Sequence, residues 1–135
     1  MIDADSAAIM AVIADLPSYP DWAAFMDAVE VLDRFPDGLV KTARFTLDAG
    51  VIKDTYSVKY EWSDASVRWS LIEGHMLKAM EGEYSLRPTP SGCEVSYQLE
   101  VDLAIPVIGM FKRKAEKVIM DSALKGLKKR VEAGA

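Results

Sequence analysis

Cysteine and histidine are nearly absent from this chain of 135 residues, which contains one of each. A single Cys cannot form an internal disulfide, and this fits a reducing compartment. The one His, the one Cys and the 21 acidic residues do not cluster with the spacing of metal ligands. Neither a P-loop nor a dinucleotide-binding glycine pattern occurs. We therefore expect no metal site and no cofactor.

Long apolar runs are also missing, so no segment is predicted to span a bilayer. The first residues, MIDADSAAIMAVIADL, are acidic where a secretory signal would be basic. We expect a cytoplasmic protein. The net charge of −5 argues against nucleic acid as the main partner. The length and the 50% content of hydrophobic residues predict one domain, residues 1–135, with a substantial core.

Charge is distributed unevenly along the chain. Residues 106–130 contain eight Lys or Arg against two acids, a net charge of +6, so the remainder carries −11. Such a basic helix suits an anionic membrane or an acidic carrier protein. The simpler interpretation, which we favour, is that its apolar stripe covers the core while its cations are solvated.

The hydrophobic pattern begins with a helical period. Ile9, Val12, Ile13 and Leu16 recur at i, i+3, i+4 and i+7, which predicts a short amphipathic helix with Asp5 or Ser6 at its cap. The motif YPDW, residues 19–22, predicts a second short helical turn.

From residue 29 onward the period changes to two, and short turn-like separators divide the segments. This predicts about six half-buried antiparallel strands. A long helix over residues 106–131 closes the chain. The side of this helix predicted to face the sheet contains Phe111, Ala115, Val118 and Ile119.

A mismatch of widths predicts a cavity. Six strands about 4.8 Å apart form a sheet roughly 24–29 Å wide, whereas a helix is only about 10 Å across. The sheet must therefore either dimerise through its uncovered apolar face or curl around the helix. Curling leaves a gap between sheet and helix, lined by the aromatic face of the strands.

Several motifs resemble the polyketide cyclase/dehydrase and lipid-transport family. These are D-A-D-S-A-A-I-M, A-D-L-P-S-Y-P-D-W, G-E-Y-S-L-R-P-T-P-S-G-C-E-V-S-Y-Q-L and I-P-V-I-G-M-F-K-R-K-A-E. The family belongs to the START-like helix-grip (SRPBCC) superfamily, and the actinobacterial members are the most similar. The resemblance implies an α+β fold in which six or seven curved antiparallel strands grip a long C-terminal helix, with two short N-terminal helices.

The resemblance also implies a deep apolar tunnel, which different members use for lipids, isoprenoid quinones, plant hormones or polyketide intermediates. Family members usually begin with a strand that pairs with the last strand. Here only Met1, Ile2 and Asp3 precede the first helix, so the last strand is expected to keep an open edge. We expect a monomer or a weak dimer.

Three functions remain open: binding or transport of a hydrophobic small molecule, a polyketide-type aromatase/cyclase or dehydratase, and an interaction module that uses the basic helix. We favour binding, because nothing in the sequence assembles a nucleophile, a base and an oxyanion site, and we predict no catalytic residue. The ligand pocket is predicted to be lined by Tyr56, Val58, Tyr60, Trp69, Met80, Tyr97, Leu99, Phe111, Ala115, Val118 and Ile119.

The chain offers few chemically reactive candidates. We interpret His75 as a surface turn residue and Cys93 as a small buried hydrophobe. Glu81 and Glu83 alternate with apolar residues, which predicts that both point to water. Asp54 shares its strand face with aromatic residues; it is either a polar group at the pocket rim or, as we expect, the exposed first residue of its strand.

Overall fold

The computed structural model describes residues 1–23, 25–48, 53–103 and 109–133, except for the side chains of residues 109–111. The chain begins with helix α1 (Ser6–Ala14), a 3-10 turn (Leu16–Ser18) and helix α2 (Tyr19–Trp22). Six strands and a closing helix, α3 (Gly109–Glu132), follow. The strands are β1 (Met26–Arg34), β2 (Val40–Asp48), β3 (Lys53–Trp62), β4 (Ser66–Glu73), β5 (Leu77–Thr89) and β6 (Gly92–Leu103).

The strands form one antiparallel sheet in the order β1 to β6, so each strand pairs with its sequence neighbours. The sheet is curved, and the N-terminal helices and α3 cover its concave side. This confirms the predicted α+β helix-grip fold. The first residues of the predicted closing helix, 106–108, lie outside the described residues.

The N-terminal helices form as their local sequence predicts. The Asp5 carboxylate accepts a hydrogen bond of 2.8 Å from the N–H of Ala8 and so caps α1. Ile9, Ile13 and Leu16 are completely buried. The apolar stripe of α1, together with Leu16, therefore supplies one end of the core.

The inner face of the sheet depends on one glycine. Gly82 in β5 lies opposite both Trp69 of β4 and Leu99 of β6. A Cβ atom at this position would stand 2.2 Å from the Trp69 ring. The indole of Trp69 therefore lies directly over Gly82, and any larger residue there would push the indole out of place.

Helix α3 packs through residues four apart, including Ala115, Ile119 and Leu127, which are all buried. Val118 is 40% exposed, so the prediction that it faces the sheet is wrong. Consecutive helix residues are about 100° apart, and the helix is rotated so that Ile119 faces inward and Val118 outward. The Phe111 side chain lies outside the described part.

Helices α2 and α3 pack against each other at Gly126 of α3. A Cβ atom on Gly126 would lie 2.1 Å from the carbonyl oxygen of Trp22. The absence of a side chain here lets the two helices approach closely, and this accounts for a glycine inside a helix, where it costs about 1 kcal/mol relative to alanine.

The open edge of β6 is covered at its two ends. Ile2 and Cys93 exchange backbone hydrogen bonds of 2.8 and 2.9 Å. Near the other end, the Glu116 carboxylate accepts from the N–H of Val101 at 2.8 Å, and the Lys112 ammonium donates to the Val101 carbonyl at 2.9 Å. Residues before α1 thus form a single bridge rather than a strand. Between these contacts, the described residues place no hydrogen bond across the edge.

Candidate functional site

A mostly apolar cavity lies between the inner face of the sheet, α2 and α3. Its volume is about 50 Å³, enough for a few water molecules. A ring compound fits only if lining side chains move, and the flexible Met26 and Met80 are suited to such movement. The cavity is lined by Tyr19, Trp22, Ala23, Met26, Phe45, Leu47, Tyr56, Tyr60, Trp69, Met80, Tyr84, Tyr97, Leu99, Ile119 and Ala123.

Two aromatic clusters build most of this lining. The first joins α2 to the sheet: the Tyr19 ring centroid lies 5.0 Å from that of Trp22 and 6.2 Å from that of Phe45. Phe45 in turn lies 5.7 Å from Tyr56, its cross-strand partner. Because alternate residues of a strand share one face, the β2 and β3 rings both point inward.

The second cluster is centred on Trp69. Its ring centroid lies 6.0 Å from Tyr60, 5.5 Å from Tyr84 and 5.6 Å from Tyr97. Tyr84 and Tyr97 are direct cross-strand partners with centroids 4.5 Å apart. The inner faces of β3 to β6 therefore present a continuous aromatic surface to the cavity.

The tyrosine hydroxyl groups differ in their hydrogen bonding. The Tyr19 hydroxyl donates to the carbonyl oxygen of Ile13. The hydroxyls of Tyr56, Tyr60 and Tyr84 have no hydrogen-bond partner among the described residues. Each of these three residues is at least 95% buried. The hydroxyl of the half-buried Tyr97 has no such partner either.

Burial raises the pKa of each cavity tyrosine well above its ordinary value. A negative charge on a neighbouring tyrosine would raise the pKa of Tyr60 and Tyr84 further. All of them are neutral at physiological pH, so the cavity contains polar but uncharged groups.

Seven of the eleven predicted pocket residues line the cavity: Tyr56, Tyr60, Trp69, Met80, Tyr97, Leu99 and Ile119. Val58 and Ala115 are buried but do not line it. Val118 is on the solvent side of α3, and the Phe111 side chain lies outside the described residues. Six of these seven residues lie in strands, where period-two alternation places them on one face with the other cavity residues.

Sequence reasoning missed eight lining residues. Tyr84 had an available signal, since it alternates with Met80 on the inner face of β5. Phe45 and Leu47 have the same alternation in β2. The others come from α2, the start of β1 and α3, where only the tertiary packing decides which side meets the cavity; the missed residues are Tyr19, Trp22, Ala23, Met26, Phe45, Leu47, Tyr84 and Ala123.

Asp54 is a buried residue, so the expectation that it is exposed is wrong. Its side chain is only 2% exposed. The carboxylate accepts hydrogen bonds from the backbone N–H groups of His75 (2.9 Å), Met76 (3.0 Å) and Leu77 (2.9 Å). Asp54 therefore holds the β4–β5 turn against β3, and it does not line the cavity.

The other titratable candidates lie away from the cavity. The His75 side chain is 89% exposed, which confirms a surface turn residue. Cys93 is completely buried, as expected for a small hydrophobe. Glu81 is exposed, and Glu83 lies 3.7 Å from Arg68 on the outer face of the sheet.

Within the described ranges, no three His, Cys, Asp or Glu residues are grouped so that they could hold a metal ion. No helix in that part of the chain is both long enough and apolar enough to cross a membrane.

Comparison with known proteins places this arrangement in a wider group. A sequence model of the family described as "Polyketide cyclase / dehydrase and lipid transport" matches residues 1–132. No protein with a curated description matches the sequence.

Solved structures share the fold at low sequence identity. A START superfamily protein from Mycobacterium smegmatis is 20% identical with a TM-score of 0.89, covering 99% of this chain and 94% of that one. The Zhui aromatase/cyclase from Streptomyces sp. R1128 is 15% identical with a TM-score of 0.75, over 97% and 88% of the two chains. A STAR-related lipid transfer protein (fragment 25-204) from Xanthomonas axonopodis is 15% identical with a TM-score of 0.70, over 97% and 81%.

Proposed function

Since the chain belongs to the polyketide cyclase/dehydrase and lipid transport family, we propose that it binds or transports a hydrophobic small molecule in the cavity between the sheet and α3. The observation that carries this proposal is the continuous aromatic lining of the cavity. Apolar walls with a few polar groups are typical of small-molecule sites. Similarity to a lipid transfer protein supports the same class of ligand.

An aromatase/cyclase or dehydratase acting on a polyketide-like substrate is the alternative. The similarity to an aromatase/cyclase favours it. Acid–base catalysis, however, needs a group whose pKa lies near the working pH. The described residues that line the cavity include no Asp, Glu, His, Lys or Arg, and burial keeps the pKa values of its tyrosines high. The lining therefore supports binding better than catalysis.

The proposal is tested by a substitution that fills the cavity with a larger side chain. Ala123 of α3 is buried and lines it, so Ala123→Leu should weaken binding of Nile red, a neutral apolar dye, at least tenfold. Val118→Leu is the matched control, because it adds apolar volume on the solvent side of the same helix, and it should leave the dye affinity unchanged.

Native mass spectrometry of the purified protein, followed by organic extraction, should show a co-purifying apolar compound. The proposal fails if the wild-type protein binds no dye and carries no compound. It also fails if Ala123→Leu lowers stability while the dye affinity stays the same, since the lining would then be ordinary core.

The basic face of α3 supports a second function, docking on an anionic membrane. Arg113, Lys114, Lys125, Lys129 and Arg130 have no ion-pair partner among the described residues. Each cation near an anionic surface contributes about 1 kcal/mol. The acidic groups on the outer face of the sheet are screened over about 8 Å at physiological salt, so they do not cancel this attraction across the domain.

Sedimentation with vesicles tests this docking. We expect the protein to sediment with phosphatidylserine-containing vesicles at low salt, and less so at high salt or with phosphatidylcholine alone. The double variant Lys114→Glu/Lys125→Glu should lose the association, whereas Lys59→Glu, on an exposed position of β3, should keep it. Equal sedimentation of both variants would exclude α3 as the docking face.

A further inference from the structure

The outer edge of strand β6 offers backbone hydrogen bonds that the described residues do not use. Cys93 and Val101 are both hydrogen-bonded across this edge, through their N–H and their C=O groups. In an antiparallel strand both backbone groups of every second residue point to the same side. Val95, Tyr97 and Leu99 therefore point their N–H and C=O groups to this edge as well, where no partner meets them in the described part of the chain.

Burial along β6 follows the same division. Cys93 and Val101, at the covered positions, are 0% and 1% exposed. The three residues between them on the same face are only partly buried. The exposure of this face is thus confined to residues 95–99, a stretch about 17 Å long, which we call the edge gap. One added strand of five residues would cover it.

Helix α3 supplies an apolar wall beside the edge gap. Residues four apart form one row on a helix. In this row Glu116 binds β6 at one end of the gap, and Lys128, which also pairs with Glu132, binds the N-terminal residues at the other. Met120 and Leu124 lie between them in the row, and both are only partly buried. An added strand would therefore gain apolar contacts as well as backbone hydrogen bonds.

The opposite edge of the sheet, formed by β1, is protected against such pairing. Its register with β2 is interrupted at three places, and its sequence MDAVEVLDR alternates poorly and contains four charges. Irregular pairing and charged side chains are the means by which sheets blunt an edge. The register of β6 with β5 is regular from residue 92 to residue 102. The edge gap therefore lacks the protection that β1 has.

The outer face of the sheet beside the edge gap is acidic. Glu100 of β6 lies directly opposite Glu81 of β5. Both are exposed, and neither has an ion-pair partner within the described ranges, whereas Glu94 pairs with Arg87. Like charges directly opposite each other destabilise a sheet, and a long side chain on a neighbouring strand reaches a diagonal residue 7–8 Å away. A cation on the added strand would therefore offset the repulsion at Glu100.

A second copy of this chain is a poor occupant of the edge gap. A two-fold axis makes the two β6 strands antiparallel, and full use of both gaps centres the pairing on Tyr97. This register places Glu94 of each copy opposite Glu100 of the other. The charges that favour a basic strand therefore disfavour self-pairing.

We propose that the edge gap binds an extended segment of another protein, about five residues long, in which apolar residues alternate with lysine or arginine. The apolar residues pair with Val95, Tyr97 and Leu99 and face α3, while the basic residues lie on the acidic outer face. Strand addition of this kind takes its affinity from the backbone and its specificity from alternate side chains. The proposal does not depend on what the cavity binds.

A labelled peptide of the pattern Val-Lys-Val-Lys-Val tests the proposal by fluorescence anisotropy. In the antiparallel register its three valines lie opposite the three gap residues, and its first lysine lies diagonal to Glu100. Replacing both lysines with glutamate should weaken binding at least tenfold. N-methylation of the central valine removes a backbone donor and should also weaken binding at least tenfold.

Val95→Pro tests the edge from the side of the protein. The N–H of Val95 points away from β5, so its loss leaves the β5–β6 ladder intact, and proline is tolerated at such an edge position. The variant should remain folded and bind the lysine peptide about fivefold more weakly. Val95→Thr keeps both the N–H and the branched Cβ, and it is the matched control with unchanged affinity.

Glu100→Lys tests the charge. It should weaken binding of the lysine peptide about threefold and strengthen binding of the glutamate peptide. Glu73→Lys makes the same change in net charge at an exposed position of β4, two strands away, and should leave both affinities unchanged. Equal effects of the two variants would mean that overall charge attracts the peptide, and the proposed site would be wrong.

Amide hydrogen exchange of the unmutated protein locates the peptide without relying on any variant. The lysine peptide should slow exchange at Val95, Tyr97 and Leu99 and leave Ser96 and Gln98, which face β5, unchanged. Failure of the lysine peptide to bind, equal binding of the N-methylated peptide, or protection elsewhere would overturn the proposal. A protein dimer that the peptide dissociates would assign the edge gap to a second copy and would likewise overturn it.

Discussion

The polar side chains at the β4–β5 turn and those in the cavity are hydrogen-bonded in opposite ways. The Asp54 carboxylate at the β4–β5 turn receives three backbone N–H donors. The hydroxyls of Tyr56, Tyr60, Tyr84 and Tyr97 in the cavity have no hydrogen-bond partner among the described residues. A buried group that the protein itself satisfies stabilises the fold, whereas a buried group left open is available to a ligand. The contrast separates a structural site from a candidate binding site.

The largest expected effect is the loss of stability when the Asp54 carboxylate is removed. Asp54→Ala removes the acceptor of three backbone donors, and it should lower the free energy of unfolding by about 3 kcal/mol. Chemical denaturation measures this loss. Asp64→Ala, at an exposed turn position, is the control and should change stability by less than about 0.5 kcal/mol. Equal stability of the two variants would mean that the turn does not depend on Asp54.

The second prediction concerns Gly82, on which the aromatic wall depends. Gly82→Ala places a methyl group where the Trp69 ring lies, so it should cost about 1–3 kcal/mol and also weaken Nile red binding. Replacing Trp69 with Phe in the same chain should recover part of the stability, because the smaller ring leaves room. Purely additive losses in the double variant would contradict the packing of Trp69 over Gly82.

A smaller effect on stability distinguishes the hydroxyls of Tyr19 and Tyr84, which both line the cavity. Tyr19→Phe removes a hydroxyl that has a partner and should lower the free energy of unfolding by about 1 kcal/mol. Tyr84→Phe removes one without a partner, so the ligand-free protein should be equally stable or slightly more stable. Denaturant unfolding of the two variants side by side decides this, and similar losses for both would show that the Tyr84 hydroxyl is satisfied by the protein.

The smallest expected effect is the pH dependence of stability, which is measured on the unmutated protein. Burial raises the pKa of Tyr56 and Tyr97 above the ordinary value of 10.0. A raised folded-state pKa means that the neutral form is favoured by folding, so its contribution to stability is complete below pH 10 and is lost as pH rises beyond that value. Tyrosinate absorbance should therefore appear together with unfolding above about pH 10. Gradual ionisation in the folded protein would place these hydroxyls in contact with solvent.

Strand faces and helix faces differed in how well the sequence predicted them. Alternation in β3 to β6 assigned Tyr56, Tyr60, Trp69 and Tyr97 to the inner face correctly. In α3, Val118 and Ile119 are neighbours on an apolar stripe, and the sequence did not reveal which of them the helix turns inward. A strand has only two faces, while the rotation of a helix about its axis is set by what it packs against.

The sequence alone determined the local structure and the composition. Spacing predicts the capped α1, the six alternating strands and the basic α3, and composition shows that reactive side chains are few. The tertiary structure decided the rest. Asp54 is buried because residues 75–77, which are distant in sequence, present their N–H groups to it. Tyr19 and Trp22 reach the cavity because Gly126 admits α2 against α3. Such contacts join segments far apart along the chain, and no periodicity within one segment encodes them.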